Sequence, residues 1–209
     1  MTKVKICGIT SLEDALDAVN LGADALGFNF YEKSPRYISP EAARSIILQL
    51  PDDLSKVGIF VNESSDDVLE NARMAEIDTI QFHGDETPHF VSEASQRTGL
   101  AVIRALRVTQ SFKAENAMEY DSHAILLDSY SKGEIGGTGA TFDWDIARDV
   151  RTLVERLYLA GGLSESNVAD AIRKVRPFAV DACSRLESQP GKKDRDKVRK
   201  FISAVREAL

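Results

Sequence analysis

A chain of 209 residues, 43% hydrophobic and 28% charged, is long enough to bury a sizeable core as one soluble domain. Its net charge of −7 argues against a nucleic-acid partner, which calls for a basic face, and no run of about 18 apolar residues offers a membrane span. The two cysteines, Cys7 and Cys183, and the three histidines, His83, His89 and His123, show neither a disulfide framework nor metal-ligand spacing. With no signal peptide ahead of the first strand, the protein is expected to be cytoplasmic with reduced thiols.

In chain order, short strand-like runs alternate with amphipathic helical stripes. Residues 4–7 form the first strand and stop at Cys7-Gly8. Leu12, Ala15, Leu16 and Val19 then follow the i, i+3, i+4, i+7 period behind a Ser11/Asp14 capping box. Residues 25–30 are the second strand. Ser39-Pro40, a cap followed by proline at the first helical position, opens a helix carrying Ala43, Ile46, Ile47 and Leu50. Residues 57–61 and 79–82 are the next strands, and Thr87-Pro88 repeats the helix-start signal. Residues 101–105, 124–127, 157–160 and 178–181 bring the strands to eight, at a mean spacing of about 25 residues. Val168, Ala171, Ile172 and Val175, then Val198, Phe201, Ile202 and Val205, stripe the last two helices. Lys192 to Lys197 is a mixed-charge run expected as a solvated face.

Strict β/α alternation predicts a parallel sheet with right-handed crossovers. Eight near-equal units favour closure into a single-domain (β/α)₈ TIM barrel over residues 1–209 rather than an open doubly wound sheet. The chain is shorter than the roughly 250 residues usual for that fold, so its helices and loops must be compact. Alternation also assigns faces. Val4 and Ile6; Leu26, Phe28 and Phe30; Val57, Ile59 and Val61; Ile80 and Phe82; and Ile125 and Leu127 are expected to face the helices. Lys5, Cys7, Asn29, Asn62, Gln81, His83, Arg104, Asp128 and Asp181 are expected to point into the barrel. Many of these lie at strand C-termini, the end where active sites of this fold sit.

Cys7 is either a small buried hydrophobe or, at the barrel mouth, a base or nucleophile whose thiol pKa must be lowered. Lys5 shares its face but lies about 7 Å back along the strand. Asp128 ends an apolar run; burial there suits a general acid, while a structural acid paired with a nearby cation is the other reading. Gly161-Gly162 follows strand seven, and Asp181-Ala182-Cys183-Ser184-Arg185 follows strand eight. Loops at those two places commonly bind phosphate through backbone N–H groups, although Gly-Gly also makes a plain tight turn. Arg36, after strand two, can grip a carboxylate in two-point fashion or stay solvated. His83 can serve as an acid, base or hydrogen-bond donor, or as a satisfied histidine at the core edge. The Gly133–Gly139 stretch matches no nucleotide-binding loop and reads as an active-site loop or an inert surface one.

Taken together, the segments Lys5-Ile6-Cys7-Gly8-Ile9, Gly27-Phe28-Asn29-Phe30, Ser34-Pro35-Arg36-Tyr37-Ile38, Gly58-Ile59-Phe60-Val61-Asn62, Gln81-Phe82-His83-Gly84-Asp85, Leu127-Asp128-Ser129, Gly136-Gly137-Thr138-Gly139 with Phe142-Asp143-Trp144, Leu159-Ala160-Gly161-Gly162-Leu163, Val180-Asp181 to Glu187, Pro190-Gly191 and Lys193-Asp194 resemble the phosphoribosylanthranilate isomerases of tryptophan biosynthesis. The resemblance runs through nearly the whole chain, in order. It implies a (β/α)₈ barrel that carries out an Amadori rearrangement of N-(5′-phosphoribosyl)anthranilate, with Cys7 as general base and Asp128 as general acid. It also implies that Arg36 holds the anthranilate carboxylate and that the loops around Gly161, Gly162, Asp181, Cys183 and Ser184 hold the phosphate, with His83 beside the substrate.

The implied partner is a small phosphorylated sugar, with no nucleic acid and no membrane; monomer and homodimer both remain open. The implied chemistry needs no metal or redox cofactor, because a substrate iminium serves as electron sink. Where the family often reads Asp-Val-Ser-Ser-Gly-Val-Glu, this chain has Cys183 in place of a serine and Arg185 in place of a small residue. A ketol-isomerase of the histidine-pathway type, for which two carboxylates would be expected, and a catalytically silent phosphosugar-binding domain are the alternative readings.

Overall fold

A computed structural model describes residues 1–129 and 143–208. The Gly133–Gly139 stretch lies outside the described residues. Eight parallel strands close into a barrel in chain order: β1 (Lys3–Cys7), β2 (Ala25–Asn29), β3 (Ser55–Phe60), β4 (Thr79–Phe82), β5 (Ala101–Val108), β6 (Ala124–Ser129), β7 (Leu157–Leu159) and β8 (Ala179–Ala182). Around it lie α1 (Leu12–Asn20), α2 (Pro40–Ile47), α3 (Ser65–Ala75), α4 (Pro88–Thr98), α5 (Trp144–Leu153), α6 (Val168–Val175) and α7 (Arg195–Glu207). The connection from β5 to β6 economises on length with a 3₁₀ segment, Ala114–Glu119, and a small antiparallel hairpin, β9 (Glu187–Gln189) and β10 (Lys192–Lys193), sits between β8 and α7.

Helix starts follow the local chemistry read in the sequence. The Ser11, Ser39 and Thr87 side chains accept hydrogen bonds from the Asp14, Ala42 and Phe90 amides, each such cap contributing about 1 kcal/mol. Asp194 caps α7 by accepting from the Asp196 and Lys197 amides. In α1, Ala15 and Ala18 are buried while Leu16 is left exposed.

The face assignment needs three corrections. In β3 both registers are apolar, so alternation alone cannot choose between them. Val57 packs inside the barrel with Ile103, Ala105 and Leu126, and Ile59 and Val61 line the barrel mouth. Phe60 instead faces the helices, where its ring meets Phe30 at 5.3 Å and Phe82 at 6.4 Å. Gly58 makes room for this layer, because a Cβ there would stand 2.5 Å from Ile77 and 2.7 Å from Phe30.

Arg104 shares the outward face of β5 with Val102 and Leu106. Its charge is tolerated there because Glu86 pairs with it at 2.6 Å, the Phe82 and Gly84 carbonyls accept from it, and the Tyr120 ring lies beneath it. Asn62 also leaves the interior. With φ of +56°, its side-chain oxygen accepts from the Asp85 amide and ties two loops together.

Candidate active site

Cys7, Arg36, His83, Asp128, Gly161, Gly162, Asp181, Cys183 and Ser184 all line one cavity of about 510 Å³, joined by Asn29, Ile59 and Val61. It opens at the C-terminal ends of the barrel strands. Among the described residues, no cluster of His, Cys, Asp and Glu has the makings of a metal site.

Cys7 closes β1, and Gly8 turns the chain away with φ of +74°. Beneath Cys7, the fully buried Lys5 ammonium lies 2.9 Å from Asp181 Oδ1. Burial opposes both charges. It pushes Asp181 up to about 6 against the pull of Lys5. At Lys5, burial is outweighed by the attraction of Asp181 and Cys7, and the pKa rises.

Lys5 is therefore already committed to a carboxylate, and the main support for a Cys7 thiolate comes from elsewhere. The adjacent Cys183 thiol drives the Cys7 pKa well below the ordinary thiol value; burial resists, and Lys5, Lys193 and His83 add attraction. Cys183 is raised correspondingly, by Cys7 beside it and by its own burial, while its thiol donates to Glu187 Oε1 at 3.7 Å. The two cysteines are distant in sequence and adjacent in space, and both are free.

Asp128 sits near the end of β6 and is buried. Its Oδ1 accepts from the Ser129 amide at 2.8 Å. Its Oδ2 lies 3.3 Å from His83 Nε2, off the line of a hydrogen bond. His83 Nδ1 is 3.1 Å from Gln81 Nε2.

Arg36 is held in two-point fashion by Glu187, with Nε to Oε1 at 2.9 Å and Nη2 to Oε2 at 2.8 Å. Lys193 Nζ adds a bond to Glu187 Oε1 at 2.9 Å. Burial of Glu187 is outweighed by these two cations, and its pKa is lowered. Glu187 and Lys193 are site-building residues that sequence reasoning missed. Lys193 was expected on a solvated face, but it is 6% exposed, because the β9–β10 hairpin folds it inward onto Glu187. Two strands this short carry no periodic signal.

At the other end of the cavity, Gly161 and Gly162 follow β7 with φ of +82° and +66°. A Cβ at Gly161 would stand 2.6 Å from the Ser129 amide nitrogen, so only glycine fits. Asn167 shapes the loop by donating to the Gly162 carbonyl and accepting from the Ser164 amide. The N-terminus of α6 lies just beyond, and a neighbouring cavity joins Gly162, Ser164, Ser166, Ser184, Arg185 and Lys197. Backbone amides, hydroxyls and a helix N-terminus are the donors an anion calls for, and Glu165 and Asn167 share this lining.

The family model for N-(5'phosphoribosyl)anthranilate (PRA) isomerase matches residues 4–204. A relative named N-(5'-phosphoribosyl)anthranilate isomerase, from Trichlorobacter lovleyi, is 51% identical over 209 residues, covering 100% of both chains. The crystal structure of phosphoribosyl anthranilate isomerase from Thermotoga maritima superposes with a TM-score of 0.92 at 44% identity, covering 99% of this chain and 100% of that one. A phosphoribosyl anthranilate isomerase solved in complex with reduced 1-(o-carboxyphenylamino)-1-deoxyribulose 5-phosphate gives 0.89 at 43% identity, with the same coverage.

Proposed function

The chain belongs to the N-(5'-phosphoribosyl)anthranilate isomerase family and is an isomerase of tryptophan biosynthesis; from that premise we propose that Cys7 is its general base and Asp128 its general acid. The observation that carries this reading is the shared cavity: a thiol driven toward its thiolate and a buried carboxyl group face one space from different strands of the barrel mouth.

The reaction is an Amadori rearrangement of aldose–ketose type. Asp128 delivers a proton to the ribose ring oxygen, the C1′–O bond breaks, and the anthranilate nitrogen lone pair forms a cationic C1′=N bond. Cys7 removes the proton from C2′; the released electron pair forms the C1′–C2′ double bond and neutralises the nitrogen. The resulting enolamine tautomerises to the ketone. His83 stands beside the acid, its Nε2 3.3 Å from Asp128 Oδ2, and lines the substrate cavity. General acid and general base each contribute roughly 10²–10⁴-fold.

Arg36 takes the anthranilate carboxylate, with Glu187 fixing the plane of its guanidinium. The loops at Gly161-Gly162 and Cys183-Ser184 take the phosphate, chiefly through backbone amides, so cysteine at position 183 leaves that contact intact. Asp181 acts through Lys5 in the layer below. Residues 1–209 work as one catalytic domain in the cytoplasm, and among the described residues no helix is long and apolar enough to cross a membrane.

Alkylation tests this assignment. Iodoacetamide at neutral pH should label Cys7, as read by peptide mapping, and saturating reduced 1-(o-carboxyphenylamino)-1-deoxyribulose 5-phosphate should block that labelling. Labelling of Cys7 that the analogue leaves unchanged would place the thiol outside the substrate site.

A further inference from the structure

The isomerisation uses one thiol at the barrel mouth, and the structure holds two. Across β1 and β8 the parallel register pairs Lys5 with Asp181 and Ile6 with Ala182, so the next step along each strand puts Cys7 beside Cys183. Lys5 and Asp181 meet inside the barrel, and the two-residue side-chain period returns both cysteines to that face. Neighbouring strands run about 4.8 Å apart, within the Cα separation of about 4.4–6.8 Å that a disulfide spans.

Glycine at position 8 leaves room for the second thiol, because a Cβ there would stand 2.8 Å from Cys183 Sγ. Both thiols are partly exposed and line the open cavity, so a small oxidant reaches them. Lys193 Nζ lies 3.7 Å from Cys183 Sγ, and Glu187 Oε1, which accepts from that thiol, lies at the same distance. The lowered pKa of Cys7 supplies the attacking species.

We propose that Cys7 and Cys183 form a peroxide-responsive dithiol, in which a hydroperoxide joins them in a disulfide that removes the base and a thiol reductant restores it. The Cys7 thiolate attacks the terminal oxygen of the hydroperoxide, the O–O bond breaks, and the leaving oxygen takes a proton to become an alcohol, or water when the oxidant is hydrogen peroxide. Cys7 is then a sulfenic acid. The Cys183 sulfur attacks the Cys7 sulfur, the S–O bond breaks, and hydroxide leaves as water with the Cys183 proton. In sum, two thiols are oxidised by two electrons and one hydroperoxide is reduced to an alcohol and water. The loss of turnover rests on Cys7 being the base; the disulfide itself does not.

The test treats the full-length protein with hydrogen peroxide, blocks remaining thiols with N-ethylmaleimide, and reads intact mass, peptide map and turnover from one sample. The wild type should lose two hydrogens, yield a linked Cys7–Cys183 peptide, fall at least about tenfold in turnover, and recover with dithiothreitol. In Cys183→Ser, peroxide should drive Cys7 to sulfinic acid, and dithiothreitol should restore none of that variant's own starting activity. If the wild type gives only sulfinic acid at Cys7, the dithiol is overturned while the base assignment stands. If the disulfide forms and turnover persists, the switch and the base assignment fall together.

Discussion

Arg36 and Glu187 form a two-point ion pair at the rim of the cavity, at 2.9 and 2.8 Å, with the Glu187 side chain 4% exposed. The guanidinium is thereby locked in one plane before any substrate carboxylate arrives. Glu187→Gln keeps the shape but loses the charge that holds both Arg36 and Lys193. The expected outcome in steady-state kinetics is a rise in KM of about tenfold, equivalent to about 1.4 kcal/mol, with a smaller change in kcat. An unchanged KM would remove Glu187 from substrate positioning.

Lys5 and Asp181 are a buried pair, so removing one partner strands the other. Lys5→Met should cost about 3–5 kcal/mol of stability, read by urea denaturation. Replacing both together, Lys5→Met with Asp181→Leu, should recover most of that loss. A double variant no more stable than the single one would mean that the pair is not the source of the penalty.

The Cys7 thiol ionises well below the ordinary thiol range because of the Cys183 thiol beside it. A base works only when deprotonated, so the acid limb of the kcat/KM profile lies on the low-pH side of a free thiol. Cys183→Ala removes that neighbour, raises the Cys7 pKa and shifts that limb to higher pH. The variant should therefore lose more of its activity at about pH 6 than at about pH 9. A limb that stays in place would show that Cys183 does not tune the base.

Gly162 sits at φ of +66° in the loop assigned to the phosphate. Gly162→Val introduces a β-branched residue into backbone that disfavours it and crowds the amides. KM should rise by about tenfold or more, with kcat affected less. An unaltered KM would count against a phosphate at this loop.

Much of the fold was legible because its signals are local. Alternating strands and helices, Ser-Pro and Thr-Pro helix starts, and a polar register ending at Cys7, His83 and Asp128 each follow from a few neighbouring residues. What escaped depends on packing between distant segments. β3 is apolar on both faces, and only the Phe30–Phe60–Phe82 layer decides which face turns outward. Arg104 looked interior until Glu86 supplied its partner on the helix side. Lys193 and Glu187 reach the site through a hairpin whose two strands, β9 and β10, have only three and two residues. The source of the Cys7 thiolate was hidden for the same reason: the sequence offered Lys5, but the β1–β8 register brought Cys183.

If Cys7 and Asp128 perform the two proton transfers, the loss shows first in kcat for phosphoribosylanthranilate, measured in Cys7→Ala and Asp128→Ala beside the wild type. Each variant should stay folded and lose about 10²–10⁴-fold in kcat, with KM changed far less. Near-wild-type kcat in either variant would contradict that assignment.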